Sequence, residues 1–378
     1  MSDDPTATIA EHFSELEDPR ADSGKRHLLL DIIVIAICAT ICGADDWVAV
    51  ELFGQVKEEW LRTFLKLPHG IPSHDTFGRV FRVLDSEQFQ QSFRSWIEAV
   101  EGITKGQVVA VDGKTLRRSH DRPLGKAAIQ MVSAWATENR LVLGQTKVAD
   151  GSNEITAIPE LLEVLDLAGC IVTVDAIGCQ RAIAQAVVDQ DADYLLALKE
   201  NQGNLYSKVA GLFDYAEEIG FRDVEYDWDQ TTNKGHGRIK VRQCWTISDP
   251  DFMSYVRQFG DWPEFNTIVK VHAERSIGTE VTRKTRYYLT SLGNNAQQAL
   301  YTARVHWQIE NQVHWLLDVV FREDHSRLRK GNGAQNMAIL RHIALTLLHQ
   351  ERTAQVGMKA KRLKAALDHE YLLRVLAG

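Results

Sequence analysis

The sequence lacks the cysteine patterns of disulfide-rich and zinc-binding proteins. It has five cysteines in 378 residues; Cys38 and Cys42 lie four residues apart in an apolar segment, and the other three are scattered. A zinc site would need paired cysteines at short spacing, and a disulfide framework would need a dense set. We therefore predict reduced thiols in a cytoplasmic protein.

Long apolar runs and a secretory signal are also missing. The run Ile32–Ala44 is too short to span a bilayer, and Asp31 and Asp45 bound it. The segment before it is acidic and polar, unlike a signal peptide. We expect no membrane partner and interpret the apolar run as a buried helix.

The chain has no overall excess of positive charge, since its formal net charge is −8. The charge is unevenly distributed, however. Acidic residues outnumber basic ones in residues 1–100, whereas basic residues outnumber acidic ones in residues 301–378. A polyanion needs only a local basic face, so this asymmetry allows a nucleic-acid partner without establishing one.

Several common catalytic motifs are absent. The sequence has neither a Gly-x-Ser-x-Gly nucleophile elbow nor a His-Glu-x-x-His zinc helix. Gly113-Lys114-Thr115 matches the end of a phosphate-binding loop, but Val108 stands where that loop needs its first glycine. These absences argue against serine-hydrolase, zinc-protease and nucleotide-binding functions.

Two apolar runs each lead directly into an aspartate. Val108–Val111 precedes Asp112, and Ile171–Val174 precedes Asp175. Continuous β-branched runs are typical of strands buried on both faces. We expect the first strand to end at Asp112. Either aspartate alone could be a turn residue that accepts backbone N–H bonds, but the repetition favours a shared site.

The remaining patterns predict an α/β fold in four segments. Residues 1–101 read as a helical domain for DNA binding or dimerisation; residues 102–200 and 293–330 form a mixed-sheet core with helices on its faces. Residues 201–292 read as a β-rich insertion, and residues 331–378 as a helical, basic tail. The basic tail is predicted as one amphipathic helix over Met358–Leu376.

A third carboxylate is expected from the helical segment around residues 301–315. Glu310 is the best candidate, because helical spacing of four places His306, Glu310, His314 and Asp318 on one face. The alternative is a helix with a solvated polar face whose tryptophans pack on the sheet. Three carboxylates on separate elements suit Mg²⁺, and two such ions can support phosphoryl transfer.

These motifs together resemble the DDE transposases of bacterial insertion sequences, in the subgroup that includes the H-repeat-associated proteins. The resemblance runs nearly end to end. It is carried by Phe13–Arg20, Pro72–Gly78, Val111–Lys114, Val174–Ala176, Leu198–Gln202, Gly235–Arg238, His306–Asn311, His314–Val319 and Phe321–Asp324.

The resemblance implies a ribonuclease-H-like catalytic core with a β-rich insertion before the last catalytic helix. It implies that Asp112, Asp175 and Glu310 bind divalent metal, Mg²⁺ or Mn²⁺, with two ions per site. The implied activity is DNA cleavage and strand transfer at the ends of an insertion sequence. The implied partners are double-stranded DNA, as terminal inverted repeats and target, and a second copy of the chain, bound at the bacterial nucleoid.

The chain departs from one signature of the better-known insertion-sequence families, Tyr-x-x-Arg-x-x-x-Glu followed by a lysine. His306 stands in place of the arginine, and Leu317 stands in place of the lysine. Our hypothesis is that His306 or His314 replaces the arginine as a phosphate contact.

Further polar and basic residues near these motifs are predicted to contact DNA. For each, a solvated loop, a helix cap or a turn is the alternative interpretation. They are Lys114, Arg117, Arg118, Lys199, Asn201, Gln202, His236, Arg238, Arg327, Arg329 and Lys330.

Two other functions fit the same residues. One is a DNA-binding protein of the same descent that has lost catalysis. The other is a metal-dependent nuclease that cuts DNA without joining it.

Overall fold

The computed structural model describes residues 7–100, 106–120, 127–235 and 237–377. His236, predicted to contact DNA, lies outside these residues. Among the described residues, no helix has both the length and the apolar character needed to cross a membrane.

A nine-stranded sheet forms the centre of the molecule. Its spatial order is β3-β2-β1-β4-β5-β9-β8-β7-β6. In chain order the strands are β1 (Val108–Leu116), β2 (Ile129–Ala136), β3 (Leu141–Lys147), β4 (Ile171–Val174), β5 (Asp193–Leu198), β6 (Tyr226–Gly235), β7 (Arg238–Ile247), β8 (Thr267–Ile277) and β9 (Glu280–Thr290).

Fifteen α-helices in the described part of the chain surround this sheet. The first six are α1 (Ala7–Phe13), α2 (Leu29–Ile41), α3 (Trp47–Val56), α4 (Glu58–Leu61), α5 (His74–Val83) and α6 (Ser86–Val100). The others are α7 (Glu154–Leu162), α8 (Arg181–Val188), α9 (Gly203–Glu218), α10 (Pro250–Arg257), α11 (Ala296–His306), α12 (Trp315–Val319), α13 (Gly333–Gln350), α14 (Met358–Leu367) and α15 (His369–Ala377).

The first five strands have the topology of a ribonuclease-H-like core. Strands β1, β2 and β3 are antiparallel neighbours, whereas β4 and β5 run parallel to β1. The apolar runs of β1 and β4 are buried as their composition predicts, because parallel strands are covered on both faces. The α/β fold class implied by the resemblance is confirmed.

Strand β1 does not end at Asp112, contrary to expectation. Its parallel neighbour β4 stops at Val174, opposite Val111, but its antiparallel neighbour β2 continues to pair from Asp112 as far as Leu116. The ladder with β2 keeps the backbone extended past the aspartate. Asp112 therefore lies inside a strand, at the point where β1 loses its partner on one side.

The β-rich segment continues the core sheet. Strand β9 pairs antiparallel with β5, and β8, β7 and β6 follow it outwards. The sequence of this segment predicts strands over Arg238–Ile247, Phe265–Ala273 and Arg283–Leu292, which correspond to β7, β8 and β9. Strand β6 and helix α10 are not predicted, because β6 alternates polar residues with few apolar ones and is exposed along most of its length.

The N-terminal helices pack around α13, which is buried along nearly its whole length. Helix α13 contacts α2, α5 and α6 and also strand β3 of the sheet. The side-chain amide of Asn336 in α13 donates to the carbonyls of Phe81 (2.8 Å) and Leu84 (2.9 Å). The two ends of the chain therefore share one apolar core.

Two expected long helices are broken. Apolar residues at spacings of three and four over Asp46–Leu65 predict one helix, but the segment divides at Lys57 into α3 and α4. The C-terminal helix divides at Asp368 into α14 and α15, and Asp368 adopts an extended backbone conformation at the break.

Candidate active site

Strand register places two of the predicted metal ligands side by side. Val111 and Val174 are paired across parallel β1 and β4, and each is followed directly by an aspartate. Asp112 accepts a hydrogen bond from the Gly113 amide at 2.9 Å. Asp175 accepts one from the Ile177 amide at 3.0 Å, which caps the short 3₁₀ turn that follows β4.

Glu310 reaches the same site from the C-terminal helical segment. The segment is not one continuous α-helix, because Glu310–His314 forms a π-helical turn between α11 and α12. Such turns recur at functional sites. The wider turn places His314 between two acids: its Nδ1 lies 3.3 Å from Glu310 Oε2 and 3.4 Å from Asp112 Oδ2.

The electrostatics of Asp112 reflect this crowding. Burial, together with the negative charges of Asp175, Glu310 and Glu154, raises the pKa of Asp112 to about 7, against the lowering effect of the Gly113 hydrogen bond. Carboxylates that share a confined space disfavour simultaneous ionisation. A bound cation would relieve this repulsion.

Glu154 is a fourth carboxylate at the site, which sequence reasoning missed. It is the first residue of α7, capped by Asn153. Burial and the charge of Asp175 raise the pKa of Glu154. A Cβ on Gly113 would stand 2.1 Å from Glu154 Oε1, so this glycine leaves room for the carboxylate. Asn153 signals the helix start in the sequence, but only the tertiary packing brings Glu154 to β1.

The donor set fits a hard divalent cation. One donor atom from each of Asp112, Glu310 and His314 lies within 4.8 Å of the others, and Asp175 adjoins Asp112 through the strand register. Carboxylate oxygens are preferred by Mg²⁺, and Mn²⁺ also accepts an imidazole nitrogen. Burial lowers the pKa of His314, which favours the neutral ring that a metal requires.

His306 occupies a different environment from His314. Its Nδ1 lies 2.9 Å from the hydroxyl of Thr173, two residues before Asp175. Burial lowers the pKa of His306 to about 4, so the ring is neutral at physiological pH. The His306 ring thus contacts strand β4 next to the candidate site. Its predicted phosphate contact remains a hypothesis.

Lys114 points into the protein rather than into solvent. It shares a face of β1 with Asp112, and its ammonium lies 2.7 Å from Asp318 and 2.5 Å from Glu323. Glu323 is also 3.7 Å from Arg341 of α13. These ion pairs connect β1 to the segment that follows the π-helical turn Glu310–His314. A DNA contact by Lys114 would require this ion pairing to change.

The residues after β5 hold the loop that follows Asp175. The side-chain amide of Asn201 donates to the Ala176 carbonyl at 2.7 Å, and that of Gln202 donates to the Cys179 carbonyl at 2.8 Å. Lys199 is exposed and lines a cleft that also includes Asp175. Of these three predicted DNA contacts, Lys199 is the one whose charged group lies open beside the site.

The other predicted DNA contacts lie on two surfaces. Arg117 and Arg118 lie in the turn after β1, and Arg327, Arg329 and Lys330 lie in the loop before α13; Arg329 donates to the Arg118 carbonyl at 3.4 Å. Arg117 is 75% exposed and lies 3.3 Å from Asp324. Arg238 begins β7, well separated in the sheet order from the catalytic strands.

Comparison with known proteins identifies the family. The profile described as "Transposase DDE domain" matches residues 103–347, and the one described as "DDE_Tnp_1-associated" matches residues 10–97. The chain belongs to the DDE transposase family.

Relatives of this transposase extend over almost its whole length. The "H repeat-associated putative transposase YhhI" of Escherichia coli K12 is 37% identical over 374 residues, 98% of each chain. The "Putative transposase YncI" of Escherichia coli O157:H7 is 38% identical over 373 residues, covering 98% of this chain and 95% of the relative. The subgroup that the motifs indicated is thereby confirmed.

A structure of a piggyBac transposase synaptic complex with hairpin DNA also matches the transposase. The match covers 97% of this chain and 76% of the other, with 12% identity and a TM-score of 0.42.

Proposed function

We propose that the protein catalyses divalent-metal-dependent DNA cleavage and strand transfer at the ends of an insertion sequence. One observation carries this proposal. Carboxylate oxygens of Glu310 and Asp112 lie close together although the two residues are far apart in the sequence, and Asp175 lies beside Asp112. Membership of the DDE transposase family supports it.

The residues of the chain have distinct tasks in this proposal. Asp112, Asp175 and Glu310 hold Mg²⁺ or Mn²⁺, two ions per site, and the metal supplies charge stabilisation to an in-line phosphoryl displacement. His314 orients Asp112 and Glu310 by lying between them. Lys199 attracts the DNA phosphate group that enters beside Asp175.

Two copies of the chain are proposed to act together, because two ends of one DNA element must be brought to one target. Double-stranded DNA, as terminal repeat and as target, is therefore the proposed partner, and the nucleoid the proposed place of action. Light scattering of the protein with and without DNA ends should reveal a dimer in the complex. A monomer on every DNA end would contradict this part of the proposal.

A strand-transfer assay tests the proposed chemistry. The protein is incubated with DNA flanking its own gene, a target plasmid, and Mg²⁺ or Mn²⁺. We expect joined products from the wild type and none from Asp112→Asn, Asp175→Asn or Glu310→Gln. Asp22→Asn is a matched control, because Asp22 is 98% exposed and lies outside the catalytic sheet.

The outcomes of this assay separate the alternatives. Cleavage without joining would indicate a metal-dependent nuclease. DNA binding without cleavage would indicate a non-catalytic DNA-binding protein. If each of the three single variants still gave joined products, the assigned site would be contradicted.

A further inference from the structure

A concentration of positive charge lies on one face of the outer sheet. We call it the cationic face and define it by six residues. They line a groove of about 300 Å³ between strands β7 to β9 and helix α11, and they are Lys240, Arg242, Arg275, Lys284, Arg286 and Arg304.

Strand register explains why these charges share one face. Residues two apart on a strand point to the same side of a sheet. Lys240 is paired with Arg275 across β7 and β8, and Arg242 and Lys284 are both paired with Ala273 from opposite sides. Like charges directly opposite one another destabilise a sheet. An arrangement that costs stability in the free protein suggests a ligand of opposite charge.

The acid nearest the groove does not neutralise it. Glu274 also lines the groove, but its Oε2 accepts a hydrogen bond from Arg283 at 2.8 Å. Arg283 points to the other side of the sheet from its neighbour Lys284. Burial, followed by repulsion from Arg242 and Arg275, lowers the pKa of Lys240.

The groove leads towards the catalytic residues. Lys284 and Arg286 line both the groove and the cleft that contains Asp175 and Lys199. The Arg286 guanidinium lies 4.9 Å from the ring centroid of Trp307, a half-exposed residue just after α11. The groove and the cleft beside Asp175 thus have two lining residues in common, Lys284 and Arg286.

We propose that the cationic face binds the phosphodiester backbone of DNA and guides it to or from the cleft beside Asp175. The proposal rests on the proposed function, since it takes DNA as the substrate. The outer strands β6 to β9 then serve as a DNA-binding platform, which accounts for the exposed, largely polar residues of β6 and of the first part of β9. The bound DNA is either a duplex or a single strand released by cleavage.

Fluorescence anisotropy with a labelled duplex, and separately with one of its strands, tests this proposal over a series of salt concentrations. Lys240→Ala/Arg242→Ala/Arg275→Ala should weaken binding and reduce the slope of log affinity against log salt by about 2 to 3. Arg275→Gln should reduce it by about 1. Lys234→Gln removes one positive charge from the opposite face of the sheet, since Lys234 follows Asn233, the partner of Lys240, and it is the matched control. Circular dichroism checks folding, and Arg275→Gln alone decides the result if the triple variant unfolds.

The result that supports the proposal is a lower slope for Arg275→Gln than for Lys234→Gln. The arm with the larger difference, duplex or single strand, identifies the bound form. Equal slopes for the two variants, or a wild type that does not bind DNA, would overturn the proposal. If binding depends on the cationic face but no DNA is cleaved, the proposed function fails while the DNA-binding face stands.

Discussion

At the scale of single residues, the carboxyl of Asp112 has a strongly raised pKa. Its folded-state pKa of about 7 exceeds the ordinary aspartate value. The folded protein therefore binds a proton more tightly than the unfolded chain. The stabilisation from this proton is present at low pH and is lost as the pH rises to about 7.

Asp112→Asn should consequently stabilise the metal-free protein at pH 8. The difference between a pKa of about 7 and the ordinary value sets an upper limit of about 4 kcal/mol on the gain in unfolding free energy. Urea denaturation at pH 4 and pH 8 measures this gain. It should be near zero at pH 4 and should shrink at pH 8 when Mg²⁺ stabilises the wild type. A gain that is equal at both pH values would contradict the raised pKa.

Lys114 offers a second residue-scale prediction. Lys114→Met removes the closest cation from Glu323, whose side chain is only 2% exposed, and leaves the weaker contact from Arg341. An unpaired buried charge is costly, so we expect a loss of about 2–4 kcal/mol in unfolding free energy.

Lys147→Met is the matched control for Lys114→Met. Lys147 also belongs to a core strand, but its partner Asp150 is 85% exposed, so its ion pair should contribute about 0–1 kcal/mol. Equal losses from the two substitutions in urea denaturation would show that the buried ion pairs of Lys114 are not stabilising.

At the scale of secondary-structure elements, α13 joins the N-terminal helices to the sheet. Asn336→Ala should lower the unfolding free energy by about 1–3 kcal/mol, because the carbonyls of Phe81 and Leu84 would lose a buried donor. Gln335→Ala changes the neighbouring, partly exposed position and should have little effect. Thermal denaturation measures both, and equal destabilisation would contradict the assigned role of Asn336.

The elements also show where sequence reasoning succeeded and where it failed. The buried runs before Asp112 and Asp175 predicted β1 and β4 because parallel central strands have a simple apolar signature. The continuation of β1 past Asp112 depends on pairing with β2, which no local pattern reveals. Likewise, Glu154 reaches the site only through the packing of α7 on the sheet.

Helical spacing gave a partly correct picture of the third catalytic segment. It predicted that Glu310 and His314 share a face, and they do. It also placed His306 on that face, and the His306 ring contacts Thr173, two residues before Asp175. The predicted DNA contacts remain predictions, although the burial of Lys114 could not have been anticipated from its position in a basic stretch.

At the scale of the whole molecule, the two ends of the chain depend on each other. The N-terminal helices and α13 contribute to the same buried cluster as the sheet. A fragment that starts at residue 102 would expose the apolar side of α13 that now faces α2 and α5. The segments that we drew from the sequence therefore contribute to one common hydrophobic core.

We expect that fragment to lack a cooperative thermal unfolding transition, whereas the full chain should show one. A fragment that lacks only the first 6 residues, which precede α1, is the matched control and should unfold like the full chain. Calorimetry distinguishes these cases. A cooperative transition in the fragment starting at residue 102 would show that the catalytic part folds alone.

The central claim is that three acids from separate elements share a divalent cation. Anomalous diffraction from crystals grown with Mn²⁺ and duplex DNA tests this claim most directly. We predict anomalous density within coordination distance of Asp112, Asp175 and Glu310. Density elsewhere, or Glu310 turned away from both aspartates while Mn²⁺ is bound, would contradict the account.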